Sequence, residues 1–187
     1  MVVCNAHATF FRVEGVNDQS PNAMTLHTSA NCNMPASRSM TGSATGNNCD
    51  VNTSGNTGCG VVAPSANSYG PSFNAAGGGF YAMERTNSFI KVWFWSRNAN
   101  VPSDVRNGGS TVNTDAWVCY LSLSHGIHSS KTNRQGTPTA FFPNTNCDLA
   151  SHFGPNEIVI NLTFCMFFFL SFRMSRFGRS SCGAIRW

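Results

Sequence analysis

Apolar and polar residues alternate with a period of two in several short stretches of this chain. In "AMTLHTSA", residues 23–30, Met24 and Leu26 fall on one side, and Thr25, His27 and Ser29 fall on the other. A partner run at 12–16 precedes it. Between them lies "NDQSPN", whose Asn, Asp, Ser and Pro build a turn. The pattern therefore predicts a hairpin of strands at 12–16 and 23–29. A second hairpin is predicted in "GGGFYAMERTNSFIKVWFWSR", residues 77–97. There Phe80, Ala82 and Glu84 alternate with Tyr81, Met83 and Arg85, and an aromatic and β-branched run follows. "EIVINLTFC", residues 157–165, predicts a further strand with Ile158, Ile160, Leu162 and Phe164 on one face. Residues 31–79 carry little strand signal and predict a long Gly/Asn/Ser-rich loop, which needs staples inside a compact domain. The segment from 102 to Trp117 also predicts loop. No repeat, heptad or helix is indicated, so the core is expected to be a sandwich of sheets.

Composition narrows the class. The chain has 187 residues, enough for one domain with its own core, and only 11% of them are charged. That suits a turn-rich all-β domain better than a helical one. The eight cysteines, at 4, 32, 49, 59, 119, 147, 165 and 182, lack metal-ligand spacing and predict disulfides. Asn52-Thr53-Ser54 and Asn161-Leu162-Thr163 are glycosylation sequons, in keeping with an oxidising compartment. "MVVCNAHATFF" nevertheless has neither the basic nor the long apolar part of a signal peptide. "FCMFFFLSF", at 164–172, is far shorter than the ~20 residues that span a bilayer.

The net charge of +4 is unevenly placed. Arg12, Lys131, Arg134, Arg173, Arg176, Arg179 and Arg186 lie in three stretches that hold no acid. The remainder has five basic and eight acidic residues, and no basic stripe of the kind that tracks nucleic acid.

Among candidate sites, Cys4-x-x-His7 and His125-x-x-His128 form no four-ligand set, so no metal is expected. The glycines at 77–79 lack the Lys and Ser/Thr of a phosphate loop, and there is no G-x-S-x-G elbow. No cofactor is expected either. Three longer stretches, "VEGVNDQSPNAMTLHTSANC", "SYGPSFNAAGGGFYAMERTNSFIKVWFWSR" and "FFPNTNCDLASHFGPNEIVINLTFC", resemble the fungal branch of glycoside hydrolase family 16, secreted endo-β-1,3(4)-glucanases. The resemblance runs over about 13–117 and 136–165. It implies a concanavalin A-like β-jelly roll, incomplete here, with an open cleft for a β-glucan partner. It also implies an extracellular, monomeric protein with no nucleic-acid or membrane partner.

The family's catalytic strand is expected to read Glu-x-Asp-x-x-Glu. Retaining cleavage needs a nucleophile and an acid/base carboxyl about 5–5.5 Å apart. On a strand, alternate residues share a face, and one extra residue acts as a bulge. By this resemblance Glu14 matches the acid/base and His27 the histidine of the returning strand, near the acid/base. The nucleophile and the intervening Asp would stand at 9 and 11, where the chain has Thr9 and Phe11. Tyr81, Trp93 and Trp95 are candidates to stack on sugar rings.

The resemblance stops after Trp117 and resumes at Gly136. The insert "VCYLSLSHGIHSSKTNRQ", 118–135, opens on Val, whose codons begin GT, and closes on Gln, one of whose codons is CAG. GT and AG are intron ends, and the insert reads as a translated intron. Residues 1–12 and 166–187 depart from the family as abruptly. The expected object is thus a partial family 16 domain over 13–165, inactive as written for lack of a nucleophile. The alternatives are a jelly roll that holds glucan without cutting it, and a truncated product that does not fold.

Two cysteine pairs are candidates. Cys32 follows one strand run and Cys165 ends another, so these two are candidates to be neighbours, and Cys49 and Cys59 enclose a short loop.

Overall fold

The structure is a computed structural model that describes residues 20–108, 112–117 and 136–155, together with the strand backbone of 10–14. Nine strands are present among these residues. They are β1 (Phe10–Glu14), β2 (Ala23–His27), β3 (Cys32–Asn33), β4 (Ser43–Ala44), β5 (Cys59–Val62), β6 (Gly79–Arg85), β7 (Phe89–Ser96), β8 (Ala140–Pro143) and β9 (Asn146–Cys147). Three short helices lie between them: α1 (Gly70–Ala75), α2 (Ser103–Arg106) and α3 (Leu149–His152). All pairings between strands are antiparallel. One sheet runs β1-β2-β5-β4, a second β6-β7-β8, and β3 pairs with β9.

The two larger sheets each bury a face in a shared core. Met24 and Leu26 of β2 and Val61 of β5 join Ile90 and Val92 of β7 and Phe142 of β8 in a single cluster. This is the face that alternation in "AMTLHTSA" picks out. The cluster makes the fold a two-sheet sandwich with the jelly-roll character expected from the sequence, its sheets incomplete. The second hairpin also stands where predicted. Its turn is held by Thr86, whose hydroxyl accepts hydrogen bonds from the backbone N–H groups of Ser88 and Phe89, both at 3.1 Å.

Three expectations are corrected. Residues 31–79 are not one loop, because β3, β4 and β5 lie within them. These strands are two to four residues long, too short for alternation to show, and β5 carries Gly60 at its centre. Helices exist, but the longest spans six residues, less than two turns. The disulfide partner of Cys32 is Cys147 and not the expected Cys165. Antiparallel pairing of β3 with β9 sets Cys32 directly opposite Cys147, with Cα atoms 4.1 Å apart. Cys49 and Cys59 are joined as anticipated, at 4.4 Å. Cys165, the strand at 157–165, the insert 118–135 and the tails 1–9 and 166–187 lie outside the described residues.

Candidate functional site

Across β2, β5 and β4, the face of the β1-β2-β5-β4 sheet turned away from the core carries Ala23, Thr25, Gly60, Val62 and Ser43. Antiparallel register aligns them in rows. One row holds Glu14, Ala23, Val62 and Ser43 as Cα partners. The next holds Arg12, Thr25 and Gly60, and Thr45 adjoins it by donating its N–H to the Gly60 carbonyl at 2.9 Å. A side chain at Gly60 would crowd its neighbours. A Cβ there would stand 2.5 Å from the Thr45 hydroxyl and 3.2 Å from that of Thr25. The result is a shallow polar floor, the kind of surface on which a flat, hydroxyl-rich chain can lie.

Register also decides which candidate residues meet. Glu14 is opposite Ala23, while His27 is opposite Phe10, four residues along the strand. At ~3.3 Å per residue that is about 13 Å of strand. The expected closeness of His27 to the acid/base position is therefore not what the register shows. His27 stands one register step from Phe11, where the family's Asp would be, since Phe11 is opposite Leu26. Its ring is buried, 4% exposed, under Gly58, whose positive φ of +65° lets the chain pass there without a side chain. A Cβ on Gly58 would lie 3.2 Å from the His27 Nδ1.

Tyr81 is the most open of the aromatic candidates, at 36% exposed. Its hydroxyl donates to the Ser68 carbonyl at 2.5 Å and accepts from the Asn22 side-chain amide at 3.0 Å. Asn22 immediately precedes Ala23, so Tyr81 is tethered at the Glu14 end of β2. Burial pushes its phenol up to about 12, against the opposing pull of the Asn22 and Ser68 hydrogen bonds. Its ring lies against Phe94 at 4.8 Å. Trp93 and Trp95 behave differently. They are 2% and 9% exposed, on the far face of the β6-β7-β8 sheet. Trp117 packs edge-on against both, at 5.0 and 5.2 Å. Neither ring offers a face to a sugar, which corrects their reading as platforms. They are core for a segment that folds over that sheet. Sequence alternation could not separate the two faces, because both are apolar.

A concavity of about 330 Å³ opens beside β6, lined by Tyr81, Met83, Glu84, Asp104, Thr114 and Trp117 among others. Its two carboxylates are engaged structurally. Glu84 accepts from the Thr114 hydroxyl at 2.7 Å. Asp104 accepts from the Trp117 indole N–H at 3.1 and 3.0 Å. Burial works against the Asp104 charge, but that indole and the N–H groups of Asn113 and Val105 outweigh it and hold the carboxyl below its ordinary range. Ligand atoms of Cys32, Cys147 and His152 lie within 4.8 Å of one another. The two sulfurs are bonded to each other and supply no thiolate, so this cluster does not suit a metal.

Sequence reasoning passed over Asn22, Thr45 and Gly60. Only Gly60, a glycine inside "CGVV", carried a signal, that of a strand closely approached by its neighbours.

The chain matches the family model described as an XgeA-like, catalytic GH16 domain over residues 12–173. It is similar to the solved laminarinase 16A from Phanerochaete chrysosporium, which holds 6-O-glucosyl-laminaritriose in donor and acceptor sites. Identity is 67%, with 85% of this chain and 48% of that one covered and a TM-score of 0.72. A protein of Schizosaccharomyces pombe named a probable glycosidase is 37% identical over 156 residues, covering 82% of this chain and 32% of that protein. A probable endo-1,3(4)-beta-glucanase of Aspergillus clavatus is 37% identical over 153 residues, covering 82% and 20%. The chain thus spans about half of the solved laminarinase and a third or less of these two relatives. With the sandwich, the polar open face and the match over 12–173 all in agreement, the chain belongs to glycoside hydrolase family 16.

Proposed function

We propose that this chain is part of a retaining β-1,3(4)-glucanase domain whose open sheet face binds β-glucan. Glu14 is the acid/base, and no nucleophile is in place. The observation that carries this reading is the 67% identity to a glucan-binding laminarinase across 85% of the chain. The floor of Ala23, Thr25, Gly60 and Thr45 supports it. Tyr81, anchored at the Glu14 end, is the aromatic candidate that remains for sugar contact. The reading places the protein outside the cell as a monomer, in keeping with the two disulfides among the described residues. Thr9 and Phe11 favour one rival, a glucan-binding domain that does not cut. Reducing-sugar release and retardation of the chain in laminarin-containing gels separate the two. Hydrolysis supports an enzyme, retardation without hydrolysis supports a binder, and neither overturns both.

The domain is proposed to run over 13–165, interrupted by the insert 118–135. The residues that flank the insert both meet one side chain: Trp117 packs on the Trp93 ring, and the Trp93 indole donates to the Gly136 carbonyl at 3.1 Å. Trp93 thus touches both residues that the join would connect. Loop-closure entropy changes slowly with length, by about 0.6 kcal/mol per doubling. The joined chain is expected to unfold at an equal or higher temperature than the full chain. A lower midpoint, or loss of the cooperative transition, would show that the insert belongs to the domain. Transcripts should likewise join the codons of Trp117 and Gly136.

A further inference from the structure

We infer that Asn52 is an N-linked glycosylation site, placed beside the His27 end of the glucan-binding face. The inference rests on the reading that the chain passes through a secretory compartment. The sequon Asn52-Thr53-Ser54 lies in the turn that leads into β5, between the bonded Cys49 and Cys59. Asn52 is exposed there. The groups around it are turned inward and engaged. The buried Asp50 carboxylate accepts from the Asn52 backbone N–H at 3.0 Å and from the Thr53 hydroxyl at 3.1 Å. The Thr53 hydroxyl also accepts from the Asn48 side chain at 2.9 Å. The Ser54 hydroxyl accepts from the Gly58 N–H at 3.0 Å. The turn is thus held by its backbone and by the neighbours of Asn52. A bulky hydrophilic group on the Asn52 amide leaves each of these bonds in place.

The location gives the site a functional neighbour. The Val51 N–H donates to the Thr28 carbonyl at 3.0 Å, and the Thr28 N–H donates to the Cys49 carbonyl at 2.8 Å. The turn is therefore tied to the residue directly after His27. A glycan on Asn52 stands at that end of the sheet, away from the row of Glu14 and Ala23, and leaves the acid/base end open.

In the transfer, the Asn52 amide nitrogen attacks C1 of an oligosaccharide carried on a lipid diphosphate. The N–C1 bond forms as the bond from C1 to the phosphate oxygen breaks. The lipid diphosphate leaves with the electron pair, and the amide gives up one proton.

The test uses the full chain, behind a cleavable secretion leader in a yeast host, with a reporter sequon appended at its C-terminus. Lumenal chain, secreted or retained, is mapped by mass spectrometry before and after treatment with peptide N-glycosidase. The peptide holding Asn52 is expected to carry a glycan. Asn52→Gln and Ser54→Ala should abolish it, whereas Ser54→Thr should keep it. The same result is expected in an Asn161→Gln background. An unmodified Asn52 in chain whose reporter is glycosylated would overturn the proposal. The readout is mass in the lumenal pool, so neither poor folding nor inactivity on laminarin alters its meaning.

Discussion

Placing Glu at position 9 and Asp at position 11 is expected to raise laminarin hydrolysis by at least about 10²-fold, and the gain should depend on Glu14. A retaining mechanism needs one carboxyl to protonate the departing oxygen and another to attack the anomeric carbon from the opposite side. Glu14 can serve the first role. Thr9 cannot form the glycosyl ester that the second requires, and Phe11 cannot separate the two pKa values as an Asp would. A lone general acid is worth about 10²–10⁴-fold, whereas glycosidase-like catalysis begins at ~10⁶-fold, so the deficit is at least about 10². The unmodified chain should therefore release little reducing sugar from laminarin, at least about 10²-fold less than the chain substituted at 9 and 11. In Thr9→Glu/Phe11→Asp chain, Glu14→Gln should remove most of what was gained. Three chains, as written, substituted at 9 and 11, and so substituted with Glu14→Gln, are compared at matched concentrations of folded protein. Strong Glu14-dependent hydrolysis by the chain as written would show that another residue acts as nucleophile.

Losing the disulfide between Cys32 and Cys147 should cost more stability than losing the one between Cys49 and Cys59. The first closes a sequence separation of 115 residues and the second one of 10. In the chain-entropy model this amounts to about 5 and about 3 kcal/mol, through the freedom each bond removes from the unfolded chain. The structural role points the same way. Cys32 and Cys147 pin the two-residue strands β3 and β9, which have little pairing of their own, whereas β5 is held by two neighbours whatever the state of Cys59. Urea unfolding of Cys32→Ser/Cys147→Ser and Cys49→Ser/Cys59→Ser chains measures both losses. Equal midpoints, or a larger loss for the short loop, would contradict the ordering.

The hairpins of β1 with β2 and of β6 with β7 were legible because each strand is long enough for alternation to repeat, and turn-forming residues separate the runs. The core face of β2 was legible for the same reason. Met24 and Leu26 are apolar between polar neighbours, and both are fully buried. The polar face was legible only in part. Thr25 and His27 stand out by alternation, but Gly60 comes to that face from a strand of four residues and Thr45 from just past one of two, which leave no periodic trace.

The sequence by itself determined the all-β class and the family and offered Cys49–Cys59 as a candidate pair, because these rest on local periodicity, long runs of matching residues and short spacing. Tertiary structure decided the rest. Whether an aromatic on a strand is core or platform depends on what covers its face. Trp117, 24 residues beyond Trp93 in the chain, covers Trp93 and Trp95, while Tyr81 is left partly open. The partner of Cys32 depends on which strand pairs with β3, a contact 115 residues distant. The place of His27 depends on the pairing register. That register sets it opposite Phe10 and apart from Glu14, because each step along an antiparallel pair carries a residue one row further from its former neighbour.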